Sequence, residues 1–227
     1  MREIVLDTET TGLDPFTGDR IVEIGAVELY NHMPTGEVYH QYINPERDMP
    51  AGAFAVHGLS IEFLSDKPVF ASVAQAFLDF IKDSRLIIHN AAFDMKFLNA
   101  ELDGSGHTQI PMSQALDTLA IARKKYAGAQ NSLDALCRRF GIDNANRTLH
   151  GALLDSEILA EVYLELIGGR QPDFALKVVQ NTGENTQTGD YTPPVRPNAL
   201  PSQITAEESA AHLEFIKELG GGTLWKS

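Results

Sequence analysis

Along this chain the hydrophobic period first changes at Pro68, and the order of that change restricts the fold more than any other feature. Ahead of the proline, apolar residues fall in strand-like runs. Glu3-Ile4-Val5-Leu6-Asp7-Thr8 reads as a short, largely buried strand, residues 20–30, rich in Ile and Val, as a long one, and residues 37–43 as a third. Thr10-Thr11-Gly12-Leu13-Asp14-Pro15 is turn chemistry. Three strands with short connections imply an antiparallel meander. Behind the proline, Val69, Val73, Ala76, Phe77, Phe80 and Ile81 recur at helical spacing. Arg85–His89 is a compact apolar strand, and Asn90 is placed to cap a helix running to about Leu102. A short strand near Ala115-Leu116 leads to a helix at 118–126. Ser132 caps a helix with Leu133, Leu136, Cys137 and Phe140 on its inner face, and a last helix runs from Gly151 to Ile167, closed by Gly168-Gly169. Strands first and alternating helix and strand afterwards imply an α/β fold: a mixed sheet covered by helices.

At 227 residues the chain suits one domain plus an appendage. Residues 1–175 supply the domain. From about residue 180 the composition turns to Asn, Thr, Gly, Gln and Pro, so 176–204 reads as a flexible linker. Structure resumes at 205–227. Thr205-Ala206-Glu207-Glu208 matches a capping box, Leu213, Ile216 and Leu219 form a stripe, Gly220-Gly221-Gly222 stops the helix, and Leu224 and Trp225 lie beyond. So short a segment cannot bury its stripe on itself, which reads as a peptide that folds against a partner. A terminal helix packed loosely on the same domain is the other reading.

A net charge of −13 excludes wrapping of long nucleic acid by bulk electrostatics. It leaves room for an enzyme that grips a few nucleotides through bound cations and relies on a partner to hold the rest. No apolar run approaches the ~20 residues of a membrane span, and the N-terminus has no signal-peptide pattern. One cysteine, Cys137, excludes an internal disulfide framework and a thiolate zinc site. A cytoplasmic location fits these features.

Asp7 and Glu9 lie two apart, which in a strand puts both carboxylates on one face. They emerge directly from the apolar run Ile4-Val5-Leu6, next to a Gly-containing turn that suggests a sheet end, and no Lys or Arg lies between Arg2 and Arg20. Asp94 falls in the first turns of the helix after Arg85–His89. A carboxylate there also suits the helix dipole, worth about 0.3–1 kcal/mol. Small Ala91 and Ala92 allow close approach, and Phe93 can stack on a base. His150 and Asp155, five apart, would point ~140° away from each other inside one helix. To share a site, His150 must precede the helix, on a turn that Gly151 permits. Crowded carboxylates raise one another's pKa values, and hard divalent cations such as Mg²⁺ and Mn²⁺ relieve the repulsion. Two such ions can stabilise the attacking and leaving oxygens of a phosphodiester, and a histidine can take the proton of the attacking water. The set predicts metal-assisted phosphodiester hydrolysis.

Asp7-Thr8-Glu9-Thr10-Thr11-Gly12, His89-Asn90-Ala91-Ala92-Phe93-Asp94 and His150-Gly151-Ala152-Leu153-Leu154-Asp155 resemble the three motifs of the DEDDh exonuclease family. The histidine five residues before the last Asp marks its His subclass. Asn131-Ser132-Leu133-Asp134-Ala135-Leu136-Cys137 and Ile158-Leu159-Ala160-Glu161-Val162-Tyr163-Leu164 resemble, within that family, the proofreading (epsilon) subunits of bacterial DNA polymerase III, as does the terminal Gly221-Gly222-Thr223-Leu224-Trp225.

The resemblance spans roughly residues 1–170 and implies a ribonuclease H-like mixed five-stranded sheet flanked by helices. It implies that Asp7, Glu9, Asp94 and Asp155 bind two metal ions, that His150 is the base, and that mispaired nucleotides are removed from a DNA 3′ end as monophosphates. Asp7, Thr8, Glu9, His57, Phe93 and Asp155 are then the expected substrate contacts. Some relatives carry an acidic residue five before the histidine of Val56-His57-Gly58-Leu59, against the sugar. Gly52 stands there in this chain, which leaves more of that contact to Glu9. The resemblance also implies partners: the polymerase catalytic (alpha) subunit through 205–227, with Leu224 and Trp225 as anchors, and a sliding clamp through Gln171, Phe174 and Leu176, a segment that reads equally as plain linker. Two rivals stand beside this expectation: a DEDDh exonuclease acting on RNA or short oligonucleotides, and a non-catalytic scaffold that stabilises the polymerase.

Overall fold

In a computed structural model of the chain, residues 1–145, 149–168 and 204–218 are described. The chain divides into two units, Met1–Ala175 and Leu176–Ser227. The expected linker, the clamp-like Gln171, Phe174 and Leu176, and the anchors Leu224 and Trp225 lie outside the described residues.

The first unit is built on one five-stranded sheet. Its strands are β1 (Arg2–Thr10), β2 (Ile21–Tyr30), β3 (Met33–Tyr42), β4 (Arg85–Ile88) and β5 (Ala115–Asp117), in the order β3-β2-β1-β4-β5. β1, β2 and β3 pair antiparallel, as the meander requires, and β4 and β5 join parallel to β1. The mixed sheet expected from the order of periods is therefore present. β1 and β3 run longer than their apolar runs, because pairing with β2 carries polar residues along.

Period 2 sorts each strand between two cores. Ile4 and Leu6 of β1, with Leu86 and Ile88 of β4, face helices α3 (Phe70–Ile81) and α4 (Ala91–Gly104), and meet Phe77, Phe97 and Leu98. Val5 and Ile87, one residue out of step, face α5 (Thr118–Lys125), α6 (Leu133–Phe140) and α7 (Ala152–Leu166), and meet Leu136, Cys137, Leu159 and Val162. Each such aliphatic side chain contributes about 1.5–3 kcal/mol on full burial. Asp7 and Glu9 share Val5's parity and project to the α7 side, whereas Thr8 shares that of Ile4 and Leu6 and projects to the α4 side.

One expectation needs correction. Asn90 occupies the N-cap of α4 without capping it: its backbone is left-handed (φ 71°) and its side chain makes no cap hydrogen bond. Asn tolerates that conformation better than most residues. Helices α1 (Ala51–His57) and α2 (Ile61–Leu64) lie in a stretch without helical periodicity. Ser132 does cap α6, accepting from the Ala135 amide at 3.3 Å. In the second unit, α8 (Ala206–Glu218) carries the expected capping box, with Thr205 Oγ1 accepting from the Glu208 amide at 3.2 Å and Glu208 Oε2 from the Thr205 amide at 2.8 Å. Leu213 of its stripe is exposed. No described helix is long and apolar enough to cross a membrane.

Candidate active site

β1 outlasts its parallel neighbour. Pairing with β4 stops at Val5–Ile87, while pairing with β2 continues through Asp7–Gly25 and Glu9–Glu23. Asp7 and Glu9 thus sit near the end of β1, as expected, and project beyond the end of β4. The open flank of β1 there is filled by Asp94. Its Oδ1 accepts from the Thr8 amide at 3.2 Å and the Thr8 hydroxyl at 2.7 Å. Asp94 is only 3% exposed. Burial pushes its carboxyl up to about 7, against the opposing pull of the Thr8 donors, with the Asp117 charge adding to the rise.

The α7 side is positioned by an unusually close approach. A Cβ on Gly25 would lie 2.1 Å from the Leu153 nitrogen and 2.2 Å from the Ala152 carbonyl carbon, so only glycine lets the first turn of α7 rest on β2. Two bonds fix that turn: Ala152 N–H donates to Glu23 Oε2 (3.2 Å) and Ser156 Oγ to the Gly25 carbonyl (2.8 Å). His40 Nε2 holds the other oxygen of Glu23 at 2.7 Å. Asp155, one turn into α7, is thereby carried over Asp7 and Glu9.

His150 precedes α7 with Gly151 between, as the spacing requires. Its backbone N–H donates to the Val56 carbonyl at 3.1 Å, tying this turn to α1. Its side chain is 46% exposed, and Nδ1 lies 3.3 Å from Oδ2 of the 3%-exposed Asp155. Ligand atoms of Glu9, His150 and Asp155 fall within 4.8 Å of one another.

Asp7, Thr8, Glu9, Phe93, Asp94, His150 and Asp155 line one cleft of about 260 Å³. Phe93 is backed by Phe97, ring centroids 5.0 Å apart. The residues Asp7 and Asp94 share the cleft but not the tight group. His57 is not on the cleft wall. It is buried at the end of α1, and its Nδ1 accepts from the Leu59 amide at 3.0 Å. Burial holds its pKa below the ordinary histidine value, with the nearby His150 acting the same way and the Thr10 backbone opposing. Gly52, in the first turn of α1, has open space around it.

Sequence reasoning did not assign His89, Ser132 and Asp134 to the cleft, which they also line. Asp134 accepts from Asn144 Nδ2 at 3.0 Å. Its one available signal was the Asn131–Cys137 motif, which carries no chemistry visible from spacing. No lysine or arginine lines the cleft among the described residues. Oxygen donors without sulfur, one carboxyl pushed up by burial and three ligand groups already within reach of one ion suit hard divalent cations.

Residues 4–163 match the Exonuclease family. The chain is 50% identical over 222 residues to the DNA polymerase III subunit epsilon of Rickettsia felis, covering 96% of this chain and 97% of that protein. It is 45% identical over 239 residues to the DNA polymerase III subunit epsilon of Escherichia coli K12, covering 100% and 98%. Among solved structures, the nuclease domain of 3′hExo, a DEDDh family member, bound to rAMP matches with a TM-score of 0.64 at 20% identity, over 74% of this chain and 92% of that one. Exonuclease X in complex with 5′ overhanging duplex DNA matches with a TM-score of 0.56 at 22% identity, over 74% and 92%. These two likenesses concern the fold.

Fold and site together define an exonuclease domain, a mixed five-stranded sheet on which Glu9, His150 and Asp155 are placed to hold a metal ion. Within that class the chain belongs to the family of DNA polymerase III epsilon subunits.

Proposed function

We propose that this chain is the proofreading subunit of a replicative DNA polymerase III and removes mispaired nucleotides from DNA 3′ ends by phosphodiester hydrolysis. The observation that carries the reading is the convergence of Asp7, Glu9, Asp94, Asp155 and His150 on one cleft, in a chain that matches epsilon subunits over nearly its whole length.

Asp7, Glu9, Asp94 and Asp155 would hold two divalent cations, Mg²⁺ or Mn²⁺. When bound, these supply Lewis acidity and neutralise charge at the scissile phosphate. His150 takes the proton of the attacking water through a ring nitrogen, and Asp155 Oδ2, 3.3 Å from Nδ1, orients the ring and stabilises its charged form. The new bond joins the water oxygen to phosphorus, and the 3′ oxygen of the penultimate nucleotide leaves, releasing a nucleoside 5′-monophosphate. Thr8 holds Asp94 in place and reaches the terminal nucleotide from the same wall. Phe93, braced by Phe97, stacks on its base. Because Nδ1 of His57 accepts from the Leu59 amide, Nε2 carries the ring proton, which supports a donor role toward that nucleotide once the His150 turn shifts.

Residues 1–175 make the exonuclease, 176–204 the linker and 205–227 the segment that docks on the polymerase catalytic subunit. Leu224 and Trp225 act as its anchors, as an aromatic hot spot would, and the exposed Leu213 on α8 supports a partner. Gln171, Phe174 and Leu176 contact the sliding clamp. A linker of this kind keeps the nuclease at high effective concentration near the primer end. The cytoplasm is the compartment such an assembly needs.

Excision from paired and mispaired primer ends, with and without EDTA, tests the reading, with Asp7→Ala and an RNA strand as controls. Wild-type protein should excise the mispaired DNA nucleotide, and EDTA or Asp7→Ala should stop it. Undiminished excision by Asp7→Ala would place the site elsewhere, and preference for the RNA strand would favour an RNA-trimming enzyme.

A further inference from the structure

A second cavity, of about 600 Å³, adjoins the catalytic cleft and shares His89 and Ser132 with it. Its size falls within the ~300–1,000 Å³ typical of small-ligand sites. The far wall carries Arg123, in the last turn of α5. The remaining wall is a loop closed on itself, in which Asn131 Nδ2 donates to the Ala129 carbonyl (2.9 Å) and the Tyr126 carbonyl (3.4 Å). On the shared wall, His89 Nδ1 meets Thr118 Oγ1 at 2.9 Å, and that hydroxyl donates to the Ile88 carbonyl at 3.2 Å. Burial holds His89 below its ordinary pKa, so the ring is neutral near pH 7 and adds no charge.

The charge of this groove is the reverse of the cleft's. The cleft is lined by Asp7, Glu9, Asp94, Asp134 and Asp155. Among the described residues of both cavities, Arg123 is the only lysine or arginine. It is exposed and makes no ion pair among the described residues. Its neighbours in the same turn are otherwise disposed: Lys125 donates to the Leu166 carbonyl, and Lys124 does not line the groove. A strand whose 3′ nucleotide occupies the cleft must leave it through an opening. The groove beyond His89 and Ser132 would carry it past a neutral imidazole to the guanidinium of Arg123, the group best suited to a phosphate.

We infer that the groove between His89, Asn131 and Arg123 is a subsite for single-stranded DNA upstream of the scissile bond, with Arg123 contacting a backbone phosphate. The inference rests on the exonuclease reading above and adds to it where the strand runs. Arg123 is a binding residue that does not touch the reacting atoms. It sets hold on the strand without reading sequence, because phosphate contacts position and base contacts specify.

Two substrates separate the subsite from the cleft. The p-nitrophenyl ester of thymidine 5′-monophosphate is small enough to occupy the cleft alone, whereas a single-stranded oligonucleotide of several nucleotides spans both cavities. In the full-length protein with Mn²⁺, Arg123→Gln should raise KM for the oligonucleotide about tenfold, as loss of one charge-assisted hydrogen bond predicts, and leave kcat nearly unchanged. Hydrolysis of the ester should match wild type. The dependence of log KM on log salt should flatten by ~0.7, one phosphate's worth on a single strand. Arg123→Lys should recover part of the affinity. An unchanged KM for the oligonucleotide, or equal loss on both substrates, overturns the subsite. Unchanged KM with weakened binding of the polymerase catalytic subunit would assign the groove to a protein contact instead. Wild-type protein inert toward both substrates would instead refute the nuclease reading beneath it.

Discussion

Replacing Gly25 by alanine adds one carbon to the sheet and should disable a site it never touches. That Cβ would lie 2.1, 2.2 and 2.3 Å from backbone atoms of Leu153 and Ala152. Backbone cannot rotate aside as a side chain can, so the first turn of α7 must retreat by about 1 Å to restore van der Waals contact. The retreat stretches the Ala152 N–H···Glu23 and Ser156 Oγ···Gly25 bonds, each worth about 1 kcal/mol net. Overpacking adds ~1–3 kcal/mol, for a total loss of about 3–5 kcal/mol. At ~2–4 °C per kcal/mol for a chain of this size, the melting temperature should fall by roughly 6–20 °C. Catalysis should fall further than stability suggests. Asp155 and the His150 turn ride on α7 while Asp7 and Glu9 ride on β1, so the displacement falls within the catalytic set. A shift of ~1 Å costs on the order of 10²-fold. Excision of a mispaired 3′ nucleotide, measured at saturating substrate and at a temperature where circular dichroism shows the variant folded, checks this. Activity within about twofold of wild type would refute the claim that Gly25 sets the register between the two halves of the site.

Three further outcomes follow from other parts of the structure. In chelated protein, Asp94 binds its proton more tightly folded than unfolded, so its contribution to stability is full below the unfolded value of roughly 4 and is lost as pH rises toward the folded value of about 7. Thermal melting in EDTA should show that decline, Mn²⁺ should stabilise more at pH 8 than at pH 5.5, and Asp94→Asn should abolish the decline; a variant with the wild-type slope would assign it to another group. Gly52→Glu meets open space in the first turn of an exposed helix, where glutamate gains about 0.5–1 kcal/mol in propensity. It should raise the melting temperature slightly and lower KM for single-stranded DNA, and a KM that does not move would mean that no sugar is reached from this position. Deleting residues 205–227 should leave excision intact and abolish co-purification with the polymerase subunit, so retained binding would place the docking surface elsewhere.

What the sequence made legible was set by local periodicity. Alternation along β1 assigns Asp7 and Glu9 to Val5's face without knowledge of any partner. The five-residue step from His150 to Asp155 demands that the histidine leave the helix, and it does. What stayed hidden depends on contacts between distant segments. Gly25 looks like a weak point in a strand until α7 is seen resting on it. Glu23 looks like an ordinary strand carboxylate until it meets the Ala152 amide and His40. The acidic pair lies near the end of β1 as expected, but only the earlier stop of β4 opens its flank, and no local signal gives that stop. The helix α1 escaped notice for a different reason. Ala51–His57 buries only His57 and has no side-chain cap, so it shows neither stripe nor start signal.

These hidden contacts explain how carboxylates can be crowded without a basic residue among them. Asp94 is stabilised by burial as the neutral acid, with Thr8 holding it in place. Asp155 and Glu9 share the reach of His150. Neither device neutralises the cleft permanently, as a lysine would. A fixed cation would occupy the position that divalent ions need, and it would hold DNA whether or not those ions were present. On the proposed reading, positive charge arrives with the metal, which couples grip on the 3′ nucleotide to competence for chemistry. Among the described residues of the two cavities, the only lysine or arginine is Arg123, which stands off from the carboxylates. There it can hold the strand without competing for the carboxylates. Such an enzyme binds DNA weakly alone, and its net charge of −13 is the expected companion of a design in which a polymerase presents the substrate.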